Sequence, residues 1–559
     1  MEFVRNIFPV FLVIWLTSAT PGFADEESAR LQIRQWVQQL GNESFLVRQR
    51  AETLLIRAGI QAYPELQCAK QNHDLEIVRR AEYVLSQIEQ TFLELENRKT
   101  ASWIQAYMFA STPIVKAQII WVLADPTLDL ARGEGLQTLC RLVRFEENAP
   151  LRLETVKTLI ASPPTSPTLR QRWYRHIRDN FNESDDDELH QCLAHYAKLW
   201  CTLDIADEKI TAAFQEQVRQ VGVETLRLLE RPENSIHIGS DIDILLHYAV
   251  AELQDTAGLT EDRDKTVALA LAVQPQPVER HENIGDEYNN RLMFEHFHAG
   301  QCLRWRYRLH WALAHFQKVM DAGHVILRHR ASAEATEIAH YDLADYSLAS
   351  AFCDKHLEIL DRAEYRAGYD PTQQIAQVQR QKTYCLAAKA AAEENWEEVR
   401  KAIMKVWSAV HAPLDFTDIS TDMDILILAY SLCQWQPDID RVFKEKMDSV
   451  HKQLWQRIVQ HYEMLPSEDR WKTMPNICNL AAWLLANTGG DYTSALTLVE
   501  SALKVTPDDP SILDTLAHVY FLGGKIDEAI RTQEQIVRMA PESVMFRQTL
   551  ERFQRAKRP

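Results

Sequence analysis

The sequence contains little glycine and shows no strand pattern. Glycine accounts for 16 of the 559 residues, well below the roughly 7% of average proteins. No sustained alternation of apolar and polar residues occurs, and no Asn-Gly hairpin turn is present. Long stretches are instead rich in Ala, Leu, Glu, Gln and Arg, which are good helix formers. These features argue against a sheet and predict an all-α fold.

Common catalytic motifs are also missing from the chain. It contains no Walker A loop and no GxGxxG, HExxH, GxSxG or CxxC motif. Each of these motifs places particular side chains at a fixed spacing for phosphate, dinucleotide, metal or nucleophile chemistry. Their absence favours a non-enzymatic protein that needs no cofactor.

Only one long apolar run is found, and it lies at the N-terminus. The segment has an early Arg5, an apolar core over 7–16, and small residues at Gly22 and Ala24. This layout predicts a secretory signal peptide over 1–24, cleaved after Ala24. The core is shorter than the roughly 20 residues of a membrane span, although an uncleaved anchor is the alternative. We expect an exported chain, periplasmic or extracellular, without stable membrane insertion.

The acidic charge balance bears on possible nucleic-acid binding. The formal net charge is −18, and an acidic surface repels phosphates. One stretch, CLRWRYRLHW at 302–311, interleaves arginines with aromatic residues, as single-strand binders do. On an acidic helix the better interpretation is aromatic rings turned inward and arginines extended to water. We expect no nucleic-acid partner.

The C-terminal region repeats with a period of 34 residues. Ala495 and Ala529 are separated by this interval, as are Gly490 and Gly524, and each unit predicts two helices joined by a turn. The unit resembles the tetratricopeptide repeat. The positions that carry the resemblance are Leu516, Ala517, Tyr520, Ala529 and Pro541.

The resemblance covers about an eighth of the chain and has departures. Leu513 stands where the family often has Trp, and Gln533 stands where it often has an aromatic residue. We assign 471–541 to tetratricopeptide repeats. Residues 542–559 have an apolar stripe and a polar opposite face, which predicts a capping helix and tail.

A different repeat occupies the N-terminal region. Val47, Val78, Val115 and Leu151 recur at intervals of 31, 37 and 36 residues, and each is followed by a basic residue. Polar residues or prolines precede each run, which suits helix N-termini. This pattern resembles HEAT-type repeats over 25–160. The two resemblances together imply an α-solenoid of stacked helix pairs.

Proline-rich and irregular stretches suggest the domain limits. Three prolines over 161–173 predict a linker. Residues 174–470 predict an irregular helical region with degenerate tetratricopeptide-like repeats, because Gly300 and Ala312, and likewise Ala387 and Val399, lie 12 residues apart. Breaks are expected near 231–243, 274–290, 411–424 and 464–476.

Histidines and cysteines offer a weak metal signal. Histidines cluster over 281–356, where His298 and Cys302, and likewise Cys353 and His356, lie one helical turn apart. Such spacing places two ligands on one helix face. A metal-dependent enzyme with its site in 281–356 is therefore the alternative function. The opposing interpretation is ordinary packing, since the nine cysteines occur singly in apolar surroundings.

The tetratricopeptide resemblance also implies a binding surface. In such arrays the first helix of each pair lines a groove, and the groove-facing positions of the last unit are Ser511, Asp514, His518 and Phe521, with Asn479 one unit earlier. A protein or peptide of unknown identity is the implied partner. Ordinary surface residues are the alternative interpretation. The preferred function is an exported, non-enzymatic helical-repeat protein that binds or scaffolds other proteins.

Overall fold

The computed structural model describes residues 23–93, 98–110, 112–124, 134–146, 148–161, 167–184, 187–204, 211–229, 240–273, 284–366, 370–409, 419–436, 438–464 and 470–557. In these ranges every regular element is a helix, and no strand occurs. The predicted all-α class is confirmed. No helix in the described part is long and apolar enough to span a membrane. Nearly all of the expected signal peptide lies outside the described residues.

The chain divides into two units, residues 1–277 and 278–559. The described helices of the first unit are α1 Phe23–Gln39, α2 Phe45–Ala58, α3 Tyr63–Ala69, α4 Leu75–Leu93, α5 Arg98–Phe109, α6 Pro113–Leu123, α7 Glu134–Phe145, α8 Ala149–Ala161, α9 Pro167–Asn180, α10 Glu188–Asp204, α11 Ala212–Leu229, α12 Ser240–Thr256 and α13 Thr260–Ala272. Many neighbouring helices pack on one another, such as α1 on α2, α3 on α4 and α12 on α13, and α2 also packs on α4, α6 on α8 and α10 on α12. This order of contacts is that of stacked helix pairs.

Helix starts in the first unit follow the signals in the sequence. Helix α2 begins directly after Ser44. Helix α4 begins after Asp74, whose Oδ1 accepts a hydrogen bond from the Glu76 backbone N–H at 2.9 Å. Helix α6 begins at Pro113, behind the capping side chain of Thr112. The side chains of Asp74 and Thr112 thus satisfy backbone donors that the first helical turn leaves open.

The second unit continues the helical arrangement. Its described helices are α14 Ile284–Trp305, α15 Leu309–Ala322, α16 Val325–Glu337, α17 Tyr346–Leu360, α18 Ala363–Arg366, α19 Thr372–Ala392, α20 Trp396–Ala409, α21 Ile419–Trp435, α22 Arg441–Met464, α23 Arg470–Asn487, α24 Tyr492–Leu503, α25 Pro510–Leu522, α26 Ile526–Met539 and α27 Val544–Lys557. A π-helical turn, Ile338–Asp342, extends α16. Helices α19, α21, α23 and α25 contact one another in succession and each also packs on the helix that follows it.

Small residues set the closest helix contacts near the C-terminus. Ala517 on α25 and Ala529 on α26 are both fully buried, and Phe553 on α27 packs against them. Alanine lets two helix backbones approach closely, and the large ring then covers the junction. Helices α24 and α25 begin behind Asp491 and Asp509, whose carboxylates accept backbone N–H groups of the first turn.

The end of the chain packs onto the beginning of the second unit. Glu542 Oε2 accepts the Leu309 backbone N–H at 2.7 Å. The Phe546 and Tyr307 rings lie 6.0 Å apart between centroids, and Ser543 Oγ donates to the Asp342 carbonyl at 3.3 Å. The helices between these contacts therefore lead the chain back to its starting point within this unit.

The two units bear on the expected domain limits. The boundary after Pro277 lies inside the expected break at 274–290. Helices α8 and α9, on either side of the expected linker 161–173, belong to the same unit. The finer limits at 160, 470 and 541 stay predictions.

Candidate functional site

The predicted groove residue His518 lies in the interior between three helices. Its Nδ1 is 2.8 Å from Asn487 Oδ1 on α23, and Arg552 Nη2 on α27 donates to its Nε2 at 3.1 Å. Because Nε2 accepts a hydrogen bond, the ring proton lies on Nδ1 and is donated to Asn487. Burial, and secondly the Arg552 charge, hold the pKa of His518 well below its usual value. The ring is neutral at pH 7.

The other groove candidates also make contacts within the chain. Asp514 accepts from Gln533 Nε2 at 2.8 Å, and burial raises the pKa of this carboxyl to about 6. Ser511 Oγ donates to Asp509 Oδ1 at 2.6 Å, and Phe521 stacks on Phe553 at 4.7 Å between centroids.

Asn479, the candidate one unit earlier, is half-buried. Its Oδ1 has no hydrogen-bond partner among the described residues.

The structure therefore brings Asp514, His518 and Phe521 together against α26 and α27. Their role in binding a partner stays a prediction.

The metal candidates separate into different contacts. His298 Nε2 lies 3.7 Å from Cys302 Sγ. His356 Nε2 is instead 2.6 Å from His329 Nδ1, while the Cys353 thiol contacts the Cys385 thiol. In the described part of the chain, no three or more His, Cys, Asp or Glu side chains are arranged to hold a metal ion. In that part of the chain, the four metal candidates therefore take part in contacts between two groups at a time.

Buried histidine pairs account for much of the His-rich stretch. His296 and His315 approach at 2.8 Å between their Nδ1 atoms, one donating and the other accepting. Burial lowers the pKa of His296 to about 3 and that of His356 to about 3. Both pairs are neutral at pH 7, because a charged imidazole in a dry interior is strongly disfavoured.

A polar cluster that the sequence did not predict lies beside the π-helical turn. The Tyr341 hydroxyl donates to Asp424 Oδ2 at 2.9 Å, joining the turn to α21. The His340 ring lies 4.5 Å from Tyr341, 5.4 Å from Tyr346 and 4.6 Å from Tyr384, measured between centroids. We call Tyr341, Tyr346, Tyr384 and Asp424 the tyrosine recess. All four keep intermediate exposure, and the three tyrosine rings pack around the His340 imidazole.

The recess has an unusual electrostatic environment. Burial raises the pKa of Asp424 to about 7, and only the Tyr341 hydrogen bond opposes this. Burial, followed by the Asp424 charge, raises the pKa of Tyr341 and Tyr384 well above the usual phenol value. Such strongly shifted carboxyls cluster at functional sites more often than elsewhere.

Next to the recess, the His340 ring also faces a pair of thiols. Its Nδ1 lies 3.1 Å from Cys385 Sγ, and its Nε2 is buried with no hydrogen-bond partner in the described ranges. Burial lowers the pKa of His340 to about 4. Cys385 in turn contacts Cys353 on the neighbouring helix α17. A cavity of about 320 Å³ adjoins this region and is lined by Ala344, Tyr346, Ser347, Lys389, Glu393 and Gln548, among others.

Sequence reasoning missed the recess for a physical reason. Tyr341 and Asp424 are 83 residues apart, and neither belongs to a motif. Tyr384 and Cys385 lie in a stretch whose spacing predicted a degenerate repeat, so the helix was expected. The sequence did not predict which face of this helix lies toward Asp424.

No protein-family model matches this chain, and no curated protein matches it. The geometry of the described residues is the basis for the proposals that follow.

Proposed function

We propose that this protein is an exported, non-enzymatic binding or scaffolding protein. Its stacked helix pairs are an α-solenoid, HEAT-type in the N-terminal part and tetratricopeptide-like in the C-terminal part. Such arrays present extended surfaces on which affinity accumulates from many modest contacts. The partner in this proposal is a protein segment bound along the first helices of the pairs in the second unit.

The observation that carries the proposal is the tyrosine recess. Residues from the π-helical turn, α19 and α21 meet there, and Tyr341, Tyr384 and Asp424 come from separate helix pairs. Apolar side chains, such as Val399 and Leu426 in the neighbouring core, hold the pairs together. Buried polar groups weaken a fold unless they are compensated. Their concentration at one place, on helices that tetratricopeptide arrays use for binding, supports a binding role.

Site-specific photo-cross-linking in cells tests this proposal. A benzophenone side chain would replace Ser347, which is exposed and lines the cavity beside Tyr346. The control position is Leu386, which is 49% exposed and lies two residues after Tyr384, on the opposite face of α19. A defined protein adduct at position 347 but not at 386 is the expected result. Equal labelling at both positions, or no adduct at either, would contradict the proposal.

A further inference from the structure

We propose that the cavity beside the start of α17 binds a zwitterionic α-amino acid, whose carboxylate contacts Lys389 and whose ammonium group contacts Glu393. The cavity measures about 320 Å³, within the range of about 300–1,000 Å³ that small-molecule sites occupy. This inference goes beyond the proposed function and does not depend on it. Cross-linking at position 347 tests the binding of a protein, whereas a titration with small ligands tests the cavity, so either can fail alone.

The cavity lies where three segments that are distant in the sequence meet. Its walls are residues 343–345 with the first turn of α17, the C-terminal end of α19, and the first turns of α27. Helix α17 packs on α19, and the π-helical turn packs on α27. Beside these walls, Ser543 Oγ donates to the Asp342 carbonyl at 3.3 Å. The walls are therefore held in position without a ligand.

Lys389 and Glu393 carry opposite charges that do not pair with each other. They lie one helical turn apart at the end of α19 and are exposed. Neither side chain makes an ion pair or a hydrogen bond among the described residues. On the next helix, Glu397 and Lys401 do pair, at 3.2 Å. There the acid precedes the base, which is the favourable order along a helix, whereas Lys389 precedes Glu393. The order of residues in the sequence thus leaves both charges available to a ligand.

The third charged residue that lines the cavity, Asp345, already has a partner. Its Oδ1 accepts a backbone N–H of the first turn of α17 at 2.9 Å, and the positive end of the helix dipole balances its charge. Outside the lining, the nearby Arg547 donates to the Pro541 carbonyl. Ser347 and Gln548 also line the cavity, and neither side chain forms a hydrogen bond in the described part of the chain. The groups available to a ligand are therefore one ammonium, one carboxylate, one hydroxyl and one amide.

An α-amino acid complements this set of groups. Its carboxylate accepts hydrogen bonds from a lysine ammonium and its own ammonium donates to a glutamate carboxylate, and both bonds are strengthened by charge. Ala344, Ala392 and Val544 add apolar surface to the lining, which suits a small aliphatic side chain. A simple amine or a simple carboxylic acid would satisfy only one of the two protein charges, and a neutral sugar would satisfy neither.

The backbone around the cavity is unusual as well. Among the described residues, three that are not glycine have left-handed φ values, and two of these lie at the cavity. Ala344 lines it, and Glu394 ends the turn directly behind Glu393. Residues other than glycine rarely adopt this conformation, and such strained positions are concentrated at ligand-binding sites. Their placement supports a binding site at this cavity.

A titration with three related small molecules tests the inference. The probe is L-valine, and the matched compounds are L-valinamide, which lacks the carboxylate, and N-acetyl-L-valine, which lacks the ammonium group. Binding to the purified full chain is followed by saturation-transfer NMR at pH 7. We expect each matched compound to bind roughly fivefold more weakly than valine, the upper end for one exposed ion pair.

Two substitutions assign the two charges separately. Lys389→Met should weaken valine binding by roughly the same factor of five and leave valinamide binding unchanged. Glu393→Gln should also weaken valine binding and leave N-acetylvaline binding unchanged. Because both residues are exposed, the fold should persist, and a circular-dichroism melt checks this. The matched control is Lys401→Met on α20, since Lys401 is exposed and does not line the cavity. This control should bind valine as the native protein does.

A substitution at Ala392 tests the site through its volume instead of its charge. Ala392 lines the cavity and is exposed, so a phenylalanine there would fill the space without overpacking the core. We expect Ala392→Phe to lose the valine signal while its melting temperature stays close to that of the native protein.

Equal binding of valine, valinamide and N-acetylvaline would overturn the inference, because neither charge of the ligand would then be recognised. The absence of a saturable valine signal would overturn it as well, and so would full valine binding by a folded Ala392→Phe protein. If Lys389→Met weakens valinamide as much as valine, Lys389 does not contact the carboxylate and the assignment is wrong.

Discussion

Replacing Phe553 with alanine should loosen the last helix and the helix pair beneath it. Phe553 is fully buried against Ala517 and Ala529 and stacks on Phe521. A buried Phe→Ala change costs about 3–5 kcal/mol of unfolding free energy, and the ring pair contributes about 1 kcal/mol beyond its buried area. The two alanines cannot expand into the space left behind. We therefore expect a loss near the upper end, about 5 kcal/mol.

The assay should resolve segments, because a chain with two units need not unfold in one step. Hydrogen exchange read by mass spectrometry would report protection in α25, α26 and α27 separately. Arg555→Ala is the matched control on the same helix, since Arg555 is largely exposed and, among the described residues, pairs only with Glu551, at 3.1 Å across one turn, a contact worth about 0.5 kcal/mol or less. A Phe553→Ala loss below about 1 kcal/mol, or unchanged protection in α25 and α26, would refute the capping role of α27.

Three further predictions concern the second unit. The pKa of about 4 at His340 lies below the 6.5 of an unfolded chain, so its stability contribution is complete above pH 6.5 and is lost as pH falls toward 4. Acidification to pH 5 should therefore cost about 2 kcal/mol more in the native protein than in His340→Gln, measured by urea unfolding. Gly300→Ala should destabilise the protein by about 1–2 kcal/mol in a thermal melt despite alanine's helix preference, because the added Cβ would lie 2.8 Å from the buried Phe316 ring. Because Cys353 and Cys385 are fully buried while Cys68 is exposed, a thiol reagent such as DTNB should label the first two much more slowly than Cys68 in the native protein, and equal labelling rates read by peptide mapping would contradict their burial.

Sequence patterns predicted the helices far better than the faces that those helices bury. The 34-residue interval between Ala495 and Ala529 marks small residues at helix crossings, and both are fully buried. A small residue recurs in each repeat because two helices cross there, so the spacing alone identifies the contact. The interval cannot show what covers the opposite face. Gln533, which departs from the family pattern, donates hydrogen bonds to Asp514 and to the Phe546 carbonyl. Predicting these bonds would require knowing where α27 lies.

The candidate site was less accessible to sequence reasoning. His518 was expected to line a groove, and its buried position depends on Arg552, 34 residues later. The tyrosine recess depends on contacts between residues that no local pattern relates. The sequence shows a cluster of histidines. It cannot show whether those histidines bind a metal or pair with one another as neutral rings, because both arrangements use the same residue type. Only the distances between ring nitrogens separate them.

Two positions with a left-handed backbone that are not glycine connect the tyrosine recess with the docked end of the chain. Helix ends that turn into the left-handed region usually carry glycine, yet Tyr307 and Ala344 have φ values of 56° and 50°. Such residues cost roughly 1–2 kcal/mol each, and the surrounding structure must offset that cost. The Phe546 ring packs on Tyr307, and Val544 lines the same cavity as Ala344. Because Ala344 follows the π-helical turn that positions Tyr341, docking of the chain end helps to fix the geometry of the recess.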